Sequence, residues 1–174
     1  MDLIVELAHN AEDERQTQEQ LFALLRQYDL RKWLFTKYIR IQRGATPHSH
    51  PVLTLSTRDR NDSSRLLATF IHEQLHWFTT LHPSKVNAAV AELRALYPQV
   101  PVGYPEGARS EDSTYSHLII CYLEYQALVE LVGLQEATRV FDSLSKHHYT
   151  WVYKTVRADA DRIGAVVRQH GLML

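Results

Sequence analysis

Cysteine is nearly missing from this chain of 174 residues, where Cys121 stands alone. A single thiol makes no internal disulfide and no multi-thiolate zinc cluster, and it suits a reducing compartment. An excess of one charge is missing too. Nineteen Lys and Arg face twenty Asp and Glu, a formal net charge of -1. That balance gives no basic footprint for a nucleic acid or a membrane surface, so neither is expected as a partner. Long hydrophobic runs are also lacking. In "MDLIVELAHN", Asp2 and Glu6 stand where a secretory leader carries positive charge, and the apolar run stops short of a spanning length. The expectation is a cytoplasmic protein. Phosphate loops, nucleophile elbows, dinucleotide fingerprints, repeats and low-complexity tracts do not occur. With 45% hydrophobic and 22% charged residues, the chain fits one globular domain with a real core.

What the sequence does have is histidine, ten of them. Their setting follows from periodicity. Leu21, Leu24, Leu25 and Tyr28 recur at helical spacing and predict a helix over 12–29. "WLFTKYIRIQ" alternates Ile39 and Ile41 with polar residues, and "VLTLSTR" follows the breaker-rich "RGATPHSHP"; together they predict an antiparallel pair of strands. "DRNDSS" supplies caps for a helix from Ser63 to Leu81 that Pro83 stops, and another helix runs on to Pro98. The segment 98–112 holds three prolines and two glycines and is expected to be an ordered loop that could cover a site. A strongly apolar helix, a short one and an amphipathic terminal one complete 113–171.

The stretch "ATFIHEQLHWFTTLH", Ala68 to His82, puts three histidines and a glutamate among residues suited to a core. Polar groups buried that way need partners. Residues four apart share a helix face, so His72 and His76 aim at one point while Glu73 stands beside it. Two neutral imidazoles at that spacing can hold a zinc ion, and a carboxylate that is not a ligand can take a proton from water on the metal. A pair of hydrogen-bonded core histidines is the plainer alternative.

Three residues compete to complete such a site. Glu124 and His117 lie seven apart in "SHLIICYLEYQAL", on one helical stripe with Cys121 between them, and a carboxylate on so apolar a face must be paired, protonated or bound. Their alpha carbons are roughly 10 Å apart along a straight helix, so one is expected to bind metal and the other to orient a ligand or steady an oxyanion. His82 is the third. Thr79 precedes it where a sharp turn would call for glycine, and an unbroken helix would rotate it about 120° from His76. His48 and His50 in "PHSHP" could chelate, and Tyr104 or Tyr115 could donate to an oxyanion.

HEQLH resembles the H-E-x-x-H motif of zincin metallopeptidases. "LEYQA" on a downstream helix is similar to the third-ligand segment of gluzincins and of small intracellular metallopeptidase-like proteins of the ImmA/IrrE type. This resemblance implies an α+β, minimal zincin-like domain over 1–174, mostly helical with a small antiparallel sheet. Its parts would be the helix 12–29, the sheet and HExxH helix over 34–82, the loop 98–112, and the third-ligand and terminal helices over 113–171. It implies a zinc-dependent peptidase with Zn2+ on His72, His76 and Glu124, Glu73 as general base and His117 as a second catalytic group. The substrate would be a peptide or protein bound along an edge strand, either "TKYIRIQ" or "VLTLSTR". A zinc-containing binding or regulatory protein of the same fold, without turnover, is the alternative, and the oligomeric state stays open.

Overall fold

The computed structural model describes residues 3–174, so Asp2 of the N-terminal reading lies outside it. The chain divides into two compact units, the first ending at Phe78 and the second running from Thr79 to Leu174.

The first unit opens with a strand absent from the sequence expectation, β1 (Ile4–Leu7), followed by α1 (Glu12–Gln27), β2 (Tyr38–Ile41) and β3 (Leu53–Leu55). α2 (Ser63–Leu81) begins in this unit and runs across the division. α1 buries Leu21 and Leu24, the spacing that predicts it, and ends two residues before the expected Asp29. Its first turn is organised by Glu14. That fully buried carboxylate accepts from the amides of His9 (2.9 Å), Ala11 (3.2 Å) and Arg43 (2.9 Å), and contacts His9 Nδ1 at 2.9 Å. The start of the helix is thereby tied to the residues that follow β2.

The sheet corrects the antiparallel expectation. Its order is β1-β2-β3 and both pairings are parallel, with Val5 opposite Ile39 and Arg40 opposite Thr54. The minimal zincin-like α+β fold with an antiparallel sheet is therefore not what this chain builds, although it is mostly helical as expected. The turn signals between the strands account for the difference. "RGATPHSHP" reads as one reversal, but the chain reverses twice there. A first turn at Gln42–Ala45 uses Gly44 at φ 72° and a bond from Ala45 N to Gln42 O of 3.3 Å. A second brings His48 antiparallel to Thr54, their amides and carbonyls bonded at 3.1 and 2.8 Å. Two reversals restore the original direction. The antiparallel partner of "VLTLSTR" is thus the His48 segment and not "TKYIRIQ". β2, being central, has no free edge for a substrate.

The second unit holds the end of α2, then α3 (Pro83–Leu96), α4 (Glu111–Val132), α5 (Leu134–Leu144), α6 (Thr150–Ala158) and α7 (Ala160–Gln169). α4 packs against α3, α5, α6 and α7, which explains a sequence apolar all round: Leu118 to Leu123 are six consecutive buried residues. Ser110 caps it, its hydroxyl accepting from Ser113 N at 3.2 Å. The single terminal helix expected from the sequence is two, broken at Asp159, whose carboxylate accepts from Tyr97 Oη at 3.0 Å.

The proline-rich loop before α4 is pinned. Gly103 N bonds Ala108 O at 2.7 Å, Ala108 N bonds Thr114 Oγ1 at 2.9 Å, and that hydroxyl donates to Pro101 O at 3.0 Å. Its carbonyls at Pro105 and Glu106 in turn accept from Thr150 N (2.9 Å) and Trp151 N (3.2 Å), the first amides of α6. Among the described residues no helix is long and apolar enough to cross a membrane.

Candidate metal centre

α2 forms where expected because Asp62 caps it, accepting from Arg65 N at 3.0 Å, and because Pro83 cannot continue it. The helix brings His72 and His76 together with ring centroids 5.1 Å apart at 68°. His72 and Glu73 are each 7% exposed and His76 is half-buried. Gln74 anchors this turn to the chain entering β2. Its Oε1 accepts from Phe35 N (2.7 Å) and Thr36 N (2.9 Å), and its Nε2 donates to Thr36 O (2.9 Å). One residue beyond His76, the Trp77 indole donates to Ser49 O at 2.9 Å and stacks on His50 at 4.2 Å.

α4 supplies the other candidates from one stripe: His117 is 4% exposed, and Cys121 and Glu124 are fully buried. His117 Nδ1 lies 2.6 Å from Ser113 O. A carbonyl oxygen only accepts, so Nδ1 carries the proton, and in the neutral ring the lone pair sits on Nε2. The same imidazole lies against the Tyr149 ring, 4.2 Å between centroids. Glu124 Oε2 accepts from Tyr153 Oη at 3.3 Å. Burial, and then the charge of Glu124, push the Tyr153 phenol well above its ordinary range, so it stays a donor.

Within the first unit, His72 and His76 are the motif donors that one face of α2 could offer to a metal ion. His117, Cys121 and Glu124 lie in the second unit.

The remaining candidates have other occupations. His82 is the N-cap residue of α3. His48 and His50 bond within their own loop, to Thr46 O and Ser49 Oγ, each at 2.9 Å. Tyr104 is 81% exposed, and the Tyr115 hydroxyl donates to Tyr97 O at 2.6 Å. Gln74 and Tyr149 are not among the residues that the sequence singles out. Gln74 carries a usable signal, as an uncharged polar residue on a face otherwise destined for the core, whereas nothing local marks Tyr149. The chain matches no family model, no curated protein and no solved structure.

Proposed function

We propose that the protein is a zinc-dependent hydrolase of peptide bonds, with the ion on His72 and His76 and Glu73 as general base. The observation that carries this reading is the pair of motif imidazoles on one face of α2, ring centroids 5.1 Å apart, with the nearly buried Glu73 carboxylate next to His72 in the same turn. Zinc bound there supplies Lewis-acid polarisation of a carbonyl and acidifies water. Glu73, beside His72 and almost buried, takes the proton of the attacking water on its carboxylate and hands it to the leaving amine. A lone and fully buried thiol accords with a reducing, cytoplasmic setting.

The test is metal analysis of the purified protein, with peptide hydrolysis measured on wild type and Glu73→Gln. Stoichiometric zinc in both, with activity lower in the variant by about 100-fold or more, is the expected result. A wild-type protein that takes up no zinc refutes the centre. Zinc in the wild type without hydrolysis of any peptide refutes the hydrolase and leaves a metal-dependent binding protein.

A further inference from the structure

β1 lies at an edge of the sheet, and no strand pairs with its outer side among the described residues. Ile4 N donates to Lys37 O (2.8 Å) and Ala8 N to Ile41 O (3.0 Å), so these residues turn their amides toward β2. In a parallel ladder the alternate residues, Val5 and Leu7, then point their main-chain N–H and C=O groups away from the sheet. Val5 O meets the Gln18 side-chain amide at 3.4 Å, long for such a bond. Exposed edges usually carry lysine, proline or a bare charge that discourages a further strand. Residues 3–7 include neither lysine nor proline, and the Glu6 carboxylate is met by Arg40 at 3.2 Å.

A groove adjoins the start of this strand. Gln18, Phe22 and Leu25 follow one another at four and three residues and share a face of α1. Gln18 reaches Val5, while Phe22 and Leu25, farther along the helix, line an open groove of about 630 Å³ with Leu3, Leu30 and Leu34. That volume falls within the usual range of ligand sites, about 300–1,000 Å³. Two arginines also line it. Arg31 is held by Asp29, Nε to Oδ1 at 2.8 Å, whereas Arg26 is exposed and enters no ion pair among the described residues. The groove thus joins apolar walls to a cation that a carboxylate can reach.

We infer that β1 and this groove bind the end of an extended peptide whose last residue is large and apolar and carries a free C-terminal carboxylate. The apolar side chain fills the groove, the carboxylate pairs with Arg26, and the preceding residues add to the sheet through Val5 and Leu7. Because the groove sits at the Leu3 end, the added segment runs antiparallel to β1. Main-chain bonding discriminates little between side chains, so the terminal residue sets the specificity. Docking of this kind requires no metal ion.

The probe is an octapeptide of alternating threonine and valine that ends in leucine, labelled with fluorescein at its amino terminus and made both as the free acid and as the C-terminal amide. Fluorescence polarisation follows its binding to wild type, Arg26→Glu and Val5→Pro. The free acid binds wild type saturably. The amide on wild type, and the free acid on Arg26→Glu, bind at least about 10-fold more weakly, the loss of a charge-assisted hydrogen bond. Val5→Pro removes an amide that faces away from β2, so the ladder survives while peptide binding falls; melting shows that the variant is folded. Should it not fold, NMR of the nitrogen-15-labelled wild type carries the test: the free acid shifts the amide signals of Val5, Leu7 and Arg26 and leaves those of the HEQLH turn in place. The inference is overturned if the free acid does not bind, if acid and amide bind equally, or if affinity is unchanged in Arg26→Glu or in folded Val5→Pro. Shifts confined to the HEQLH helix overturn it as well, and they place the peptide at the motif instead. A wild-type dimer that Val5→Pro dissociates assigns the edge to a second copy of the chain, again against the inference.

Discussion

Replacing Gln74 by alanine should cost the protein about 3–5 kcal/mol. The side chain is fully buried and satisfies three main-chain groups of Phe35 and Thr36 at 2.7–2.9 Å. Each of those groups, left buried without a partner, costs about 1–3 kcal/mol. The sum starts near 3, and local relaxation with water entry holds it below the simple maximum. Domains are stable by about 5–15 kcal/mol, so the change removes a large share. For a chain of this length it lowers the melting temperature by about 10 °C. The assay is thermal and urea unfolding of the metal-free protein. Gln74→Glu sharpens the comparison, because at neutral pH a carboxylate can no longer donate to Thr36 O and buries a charge as well. Acidification should return part of its lost stability. A loss below about 1 kcal/mol in Gln74→Ala would refute the view that this amide fastens the motif helix to the strand.

His72→Ala and His76→Ala should each lose most of the wild-type zinc affinity by chelator competition on the purified variants; retained affinity in either would remove that imidazole from the centre. Glu14 makes stability depend on acid. Burial works to raise its pKa from 4.5, but the amides of Arg43, His9 and Ala11 and the His9 ring prevail and bring it down to about 2. Because the folded value lies below the unfolded one, this stabilisation is complete above pH 4.5 and is lost as the pH falls toward 2. Urea unfolding across that window should show the decline in wild type and a flatter profile in Glu14→Gln, which starts lower at pH 7. Equal slopes would contradict the assignment.

The parts of the molecule legible in the sequence are those governed by neighbours within one helical turn. α2 can be bounded at both ends because Asp62 and Pro83 act locally, and His72 and His76 meet because four residues make about one turn. The stripe of His117, Cys121 and Glu124 is visible for the same reason. Strand direction is not legible, since a run of turn-forming residues states that the chain bends and not how many times. β1 escapes notice because four residues with Ile4 and Glu6 exposed carry little alternation. Tyr149 reaches His117 across thirty-two positions through a backbone angle that no periodicity encodes.

The double reversal before β3 bears on how the molecule behaves when crowded. Leu53 and Leu55 turn their main-chain groups toward β2, so Thr54 is the residue through which this short strand could recruit another, and His48 already takes both of its bonds. A second molecule extending the sheet on that side would have to break two intact bonds first. Self-association by strand stacking is blocked there without any charged or proline gatekeeper in the strand itself.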